Sequence, residues 1–286
     1  MPSTAGGSAR SKTLTYADGS TFSDALRQRG VQLSQRRIPD LEQIRPLVQL
    51  LENVQWYDNA DSLTHAMNTR LMATNESTFY LAFEFLITGW LCRLEKLRYV
   101  FNAQWHIDPL ESTPGSSPIA APKPDLTIGF EEAYLTGGSI ISRPVNDSAP
   151  VICDHRIEYP CVTVQVKPNE VPQWISQNLH NSAVMLRTLR TLWIQSHGQT
   201  GFDEKVHVVT VSISRNLVEA FVHWTGVDEF GDILYHHAPI QSWSLGIGGT
   251  EWVKARSGIK SLVEWVTDEN EGWIMNALRN IRHTQN

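Results

Sequence analysis

Hydrophobic residues follow two periods along the chain, one near 3.6 residues and one of two residues. The helical period, with its capping signals, predicts helices over these ranges: 40–54 with a bend at Pro46, 61–74, 77–98, 172–195, 258–266 and 272–282. Alternation and β-branched composition predict strands over these ranges: 99–107, 125–130, 161–167, 206–215 and 217–226. Residues 131–158 carry no sustained pattern, and we expect them to form loops with short extended pieces.

The order helices, strands, helix, strands, helices is typical of an α/β or α+β protein with a mixed sheet. Residues 1–37 are polar and rich in Gly, Ser, Gln and Arg, which predicts a mobile N-terminal segment. The remainder, 38–286, is long enough for one large domain with its own core. His236 and His237 precede a proline and are expected at the surface.

Composition narrows the class of protein. A hydrophobic content of 41% and a charged content of 19% are those of an ordinary globular protein. The formal net charge of -6 argues against a broadly basic surface that binds nucleic acid, but it does not exclude a local basic groove. The longest apolar run, 79–94, is interrupted by Glu84 and is too short to span a bilayer. With three cysteines and no apparent secretory signal, we expect a cytoplasmic or nuclear protein without a membrane anchor.

Two predicted strands present polar residues on one face. In PCVTVQVKP, three valines alternate with polar residues that include Gln165 and Lys167. In KPDLTIGF, Asp125 lies on the polar side of the alternation. If the two strands pair edge to edge with their apolar faces on the same side of the sheet, all three polar residues lie on the opposite face. Carboxylate and amide oxygens can hold Mg²⁺, and a lysine beside them can stabilise developing negative charge or position a water.

Pro124-Asp125 followed by Gln165-Val166-Lys167 resembles the signature of the PD-(D/E)XK nuclease superfamily, and more narrowly a fungal group of nuclease-like proteins. The resemblance covers about residues 40–285. It implies a restriction-endonuclease-like α/β core, with an N-terminal helical region, in which a helix precedes a strand hairpin and another follows the lysine strand. It also implies that Asp125 binds Mg²⁺ or Mn²⁺, that Lys167 is catalytic, and that the Val166 carbonyl is a further ligand.

This sequence departs from the family pattern at Gln165, which stands where the family carries Glu or Asp. A neutral amide removes one negative charge, so we expect weaker binding of a divalent cation. The resemblance offers Glu84, on the helix before the PD strand, as a third ligand, although this acid could equally pair with Arg93 or Arg98. Gln177 resembles the helix glutamine that borders the site in the exonuclease-like branch, whose companion tyrosine is absent here.

Two classes of function therefore stay open. The resemblance favours a metal-dependent phosphodiesterase acting on nucleic acid. The acidic charge and the change at Gln165 suit a member without nuclease activity, acting as a binding or regulatory module. Reuse of the pocket in fungal small-molecule (secondary metabolite) biosynthesis is a further alternative. Each residue also has an ordinary explanation: a strand-cap aspartate, a strand-face glutamine and a solvent-facing lysine.

Overall fold

The structure is a computed structural model. It describes these residues: 13–52, 83, 87, 89–91, 93–105, 110, 117–136, 157–167, 173–198, 200–245 and 249–285. The predicted helix 61–74 lies outside the described residues.

A six-stranded mixed sheet forms the centre of the fold. Its strands lie side by side in chain order: β1 Leu97–Phe101, β2 Leu126–Glu131, β3 Ile157–Val166, β4 Val206–Ile213, β5 Leu217–Val227 and β6 Ile233–Ser244. Neighbours are antiparallel except β3 and β4, which are parallel. A parallel pair needs a crossover connection, and a long helix supplies it. The predicted α/β class with a mixed sheet flanked by helices is confirmed.

Helices pack against the sheet. They are α1 Ser20–Arg27, α2 Leu41–Glu52, α3 Glu132–Thr136, α4 Gln173–His197 and α5 Gly249–Gln285, and residues 83, 87 and 89–91 are also helical. Helix α4 packs on β3, β4 and α5, and α5 also packs on β4, β6 and α2. All residues of β4, and all but one each in β2 and β3, are buried. Central strands with both faces covered explain the valine-rich sequences of β3 and β4. No helix among the described residues has the length and apolar character needed to cross a membrane.

The N-terminal segment corrects one expectation. Residues 13–37 are not a polar mobile extension: Leu14 forms a β-bridge with Ile119, and Val31 forms one with Tyr235. Helix α1 buries Phe22, Ala25 and Leu26. These few apolar residues sit in a polar sequence, and only contact with distant elements removes them from water. Residues 1–12 lie outside the described part.

Element boundaries differ from the prediction at two places before the centre of the sheet. The helix expected over 77–98 ends before Leu97, where β1 begins, and β1 ends at Phe101 instead of 107. Strand β3 begins at Ile157, within the region expected to be loop. Tyr159 has a φ of 44°, and the β2–β3 register shifts beside it. Because this irregularity interrupts the alternation of apolar and polar residues, the sequence pattern did not predict the first half of the strand.

The C-terminal third holds two further corrections. His236 and His237 lie in β6 and are buried, in the part of the strand that has β5 on one side and the N-terminal segment on the other, where the Arg36 N–H donates to the His237 carbonyl. The two helices expected at 258–266 and 272–282 are one continuous helix, α5. Gly258 lies inside it, and a Cβ there would stand 2.2 Å from Cζ2 of Trp243. Gly258 therefore allows the close approach of the Trp243 indole ring and does not mark the beginning of a helix.

Candidate functional site

The ends of β2 and β3 bring a carboxylate, a backbone amide and an ammonium together. The Val166 N–H donates a hydrogen bond of 2.7 Å to Oδ2 of Asp125. The Nζ of Lys167 lies 3.9 Å from the same oxygen. The antiparallel register pairs Leu126 with Val164, so Asp125 stands next to the end of β3. At 8% exposure Asp125 is buried, which strengthens both electrostatic contacts relative to bulk water.

Gln165 is a buried polar residue whose side-chain amide forms no hydrogen bond with the described part of the chain. It is 1% exposed, and neither its Nε2 nor its Oε1 has a hydrogen-bond partner within the described part of the chain. A buried amide without partners costs about 1–3 kcal/mol. Because β3 is a central strand, the ordinary explanation of an edge-strand glutamine facing solvent is wrong. The Gln165 amide therefore has the capacity to form hydrogen bonds with a bound ligand or water.

A cavity of about 170 Å³ lies on the Gln165 side of this cluster. Its polar lining comes from β3, α4 and the connection before β2, and the N-terminal segment supplies aromatic lining. The lining residues are Thr15, Tyr16, Phe22, Gln104, Ala120, Ala121, Pro122, Lys123, Gln165, Gln177, His180 and Asn181. Apart from Lys123 and the titratable His180, the polar side chains that line it carry no charge.

Helix α4 supplies the second polar wall. Gln177 and Asn181 are four residues apart and His180 is three from Gln177, so all three lie on one face of the helix. Their exposures are 8%, 2% and 4% in the order Gln177, Asn181, His180. The Nδ2 of Asn181 and the Nε2 of His180 have no partner among the described residues. Burial lowers the pKa of His180 to about 3, with a smaller effect from Arg29, so its imidazole is neutral at pH 7.

The sheet face that carries Gln165 also carries a row of buried hydroxyl groups. Thr127, Thr163 and Thr210 are register partners across β2, β3 and β4. The Trp105 Nε1–H donates to Oγ1 of Thr127 at 3.1 Å, and Oγ1 of Thr210 lies 2.8 Å from Nε2 of His223. The next register pair is Gln165 and Ser212, where Asn178 donates to Oγ of Ser212 at 2.6 Å. The layer between α4 and the sheet is thus polar along these strands.

The structure brings together four of the six predicted site residues and leaves one undescribed. Asp125, Val166 and Lys167 are in direct contact and Gln165 adjoins them in β3. Gln177 shares the cavity lining with Gln165. Glu84 lies outside the described residues, so its expected role stays a prediction.

Sequence reasoning missed the aromatic part of the cavity. Tyr16 and Phe22 come from the segment that was expected to be mobile. The spacing of Phe22, Ala25 and Leu26 is that of one helical face and was the available signal.

The described residues offer few side-chain donors for a metal ion. Among the residues that the structure describes, no three His, Cys, Asp or Glu side chains lie close enough together to hold an ion. Asp125 and Gln165 supply oxygen donors, which are the type that Mg²⁺ and Mn²⁺ prefer. The partnerless Oε1 of Gln165 is consistent with a ligand role. The charges of Asp125 and Lys167 sum to zero, so the pair alone holds a cation weakly.

Residues 47–278 of the chain match a family model described as a domain of unknown function, DUF7924. A comparison with curated proteins found no significant match.

Proposed function

We propose that this chain, which belongs to the DUF7924 family, is a metal-dependent phosphodiesterase of the PD-(D/E)XK type that acts on nucleic acid. The observation that carries the proposal is the cluster at the ends of β2 and β3. There Asp125 accepts the Val166 N–H at 2.7 Å and lies 3.9 Å from Lys167. Two motifs that lie 40 residues apart in the sequence thereby form one group of polar atoms at the ends of neighbouring strands.

The order of elements supports the proposal of a restriction-endonuclease-like core. Helical residues precede β1, three antiparallel strands follow, and α4 connects β3 to the parallel β4. The resemblance implies this arrangement, with a helix before the hairpin and another after the lysine strand. Asp125 then stands just before β2 and Lys167 just after β3, as that type of site requires.

Asp125 and Gln165 would hold Mg²⁺ or Mn²⁺, with the Val166 carbonyl as a further donor. The ion would supply Lewis acidity toward a phosphate oxygen and lower the pKa of a bound water. Lys167 contributes a positive charge at the rim of the buried cluster, with its side chain 21% exposed. An ammonium there can stabilise the negative charge that develops on a phosphodiester during hydrolysis. Asp125 orients Lys167 through their contact.

Gln165 sets the expected level of activity. With an amide instead of a carboxylate, the site has one less negative charge, so metal affinity is lower and activity needs higher metal concentrations. The limited charge also favours the second candidate, a nucleic-acid-binding module without hydrolysis. The partnerless amide of Gln165 favours occupancy by a ligand in either case.

The experiment is cleavage of single- and double-stranded DNA and RNA with Mg²⁺ or Mn²⁺ between 1 and 20 mM (roughly the range that a weak site needs). We expect metal-dependent cleavage that Asp125→Asn and Lys167→Ala abolish. Two matched controls, Asp232→Asn and Lys205→Ala, change exposed residues outside the cluster and should retain activity. If no metal and substrate combination gives cleavage, or if cleavage persists in both cluster variants, the proposed phosphodiesterase activity at this cluster is wrong.

A further inference from the structure

Three described features lie beside or away from the contact between Asp125 and Lys167. They are an arginine-containing cleft near Arg27 and Arg190, a buried histidine group on β5 and β6, and the cavity lined by Gln165 and α4. In the cleft, Arg190 already pairs with Asp203 at 2.9 Å, and Arg27 pairs with Asp24. The cavity alone combines open space with buried polar atoms that lack partners.

We propose that this cavity binds a single pyrimidine nucleobase of a single-stranded or extruded nucleotide. The first support is an excess of hydrogen-bonding capacity. Gln165, His180 and Asn181 are each less than 5% exposed, and all three carry polar atoms without partners in the described ranges. Buried polar groups in native proteins are otherwise nearly always paired, so a ligand edge is the natural complement.

The chemistry of these atoms selects an uncharged ligand. Gln165 carries both an amide donor and an amide acceptor, as the edge of a nucleobase does. The neutral imidazole of His180 adds one more nitrogen, and Asn181 adds an N–H donor. Lys123 lines the cavity with an exposed side chain, whereas the buried polar side chains of Gln165, His180 and Asn181 carry no formal charge at pH 7.

The volume and the apolar lining of the cavity suit a flat ring. Phe22, Pro122 and Ala120 provide apolar walls, and Tyr16 is 44% exposed beside them. Aromatic and apolar walls contact the faces of a base while polar groups meet its edge. A dry cavity of about 150 Å³ holds one benzene ring. At about 170 Å³ the present cavity accommodates one six-membered heterocycle and is small for a purine.

This inference deepens the proposed function, on which it rests for its choice of a nucleic-acid ligand. Gln165 belongs to both regions, since it lines the cavity and adjoins Val166 and Lys167. A base held on the cavity side of Gln165 would place its own backbone near the ends of β2 and β3. The cavity would then position the strand for the cluster.

The test is binding of fluorescein-labelled oligothymidylate in EDTA, which removes metal and so separates binding from cleavage. The comparison ligand has the same length and phosphates with abasic residues in place of every base. We expect the 286-residue chain to bind oligothymidylate at least about tenfold more tightly than the abasic strand, and to bind oligodeoxyadenylate more weakly than oligothymidylate. Equal affinity for the thymine and abasic strands overturns the inference.

Two variants report on the cavity. Asn181→Leu is close in size and should remove most of the preference for thymine over abasic strand. Tyr16→Ala changes an exposed side chain, leaves the core intact, and should weaken oligothymidylate binding several-fold with little effect on the abasic strand. Full preference in both variants, with circular dichroism showing that they are folded, also overturns the inference. Base-dependent binding without any cleavage contradicts only the proposed hydrolysis, whereas cleavage without base preference contradicts only the cavity's role.

Discussion

The backbone N–H of Val166 donates a hydrogen bond of 2.7 Å to the carboxylate of Asp125, which fastens the beginning of β2 to the end of β3. The same carboxylate oxygen lies 3.9 Å from Lys167. Asp125 thus links two strands through a hydrogen bond and also belongs to the candidate site. Substitutions that separate these two tasks are the most informative.

Asp125→Asn keeps an oxygen that can accept the Val166 N–H, so we expect the free energy of unfolding to change by less than about 1 kcal/mol. Metal-dependent cleavage should be lost. Asp125→Leu leaves a buried N–H without its acceptor and should cost about 1–3 kcal/mol. Urea denaturation of both variants measures the difference. Equal stability of the two variants would show that the hydrogen bond contributes little.

Gln165→Glu tests the amide as a weakened ligand. In EDTA, a second buried carboxylate near Asp125 should destabilise the protein, since two like charges in a buried site repel each other. Adding Mg²⁺ should reverse the loss, because a ligand that binds only the folded state raises its stability. Thermal melts at several Mg²⁺ concentrations measure this response. Gln165→Leu is the matched control and should show no Mg²⁺ response; an identical response in both variants contradicts the ligand role.

Leu26→Ala tests whether the N-terminal segment belongs to the core. Leu26 is fully buried in α1, so the truncation should cost about 2–5 kcal/mol. Leu50→Ala in α2 is the control: Leu50 is 50% exposed, and the change should stay within about 0.5 kcal/mol. Chemical denaturation measures both. A small effect at Leu26 would mean that α1 docks only loosely.

Gly258→Ala and Gly272→Ala make the same change at two places in α5 with opposite expected signs. At Gly258 the new Cβ would lie 2.2 Å from the ring of Trp243, so the helix or the indole must shift and stability should fall. At Gly272 no atom lies within 4 Å, so higher helix propensity should raise stability by roughly 0.5–1 kcal/mol. Melting temperatures of the two variants should move in opposite directions, and a shared direction refutes the packing argument.

Buried neutral histidines predict a loss of stability in mild acid. Burial lowers the pKa of His180 to about 3 and that of His207 and His236 to about 4, and it also lowers the pKa of His223 and His237. These groups stay neutral in the fold while the unfolded chain takes up protons below about pH 6.5. Stability is therefore complete above that pH and falls as the pH decreases toward 4.

The loss should reach up to about 1.4 kcal/mol per pH unit for each such histidine. Urea denaturation at pH 7.5, 6.5 and 5.5 measures the slope, and His180→Phe should reduce it by the share of one group. A stability that is level between pH 6.5 and 5.5 would contradict this account.

Local pattern determined most of the central elements. Alternating valines identified β3 and β4, the helical period identified α2 and α4, and the polar faces of two strands singled out Asp125, Gln165 and Lys167. These features follow from side-chain direction in a single helix or strand, which depends on a few neighbouring residues. The sequence alone therefore limited the fold to an α/β or α+β class with a mixed sheet and identified the pair of motifs.

The tertiary structure decided the features that depend on residues far apart in the chain. Leu14 and Val31 are buried where they form β-bridges with Ile119 and Tyr235, and His237 is buried where β5 and the N-terminal segment flank β6. The contact between Asp125 and Val166 and the cavity beside Gln165 likewise join separate segments. Burial is a property of the assembled layers, so the environment of a polar residue follows from the elements that cover it and not from its neighbours in the chain.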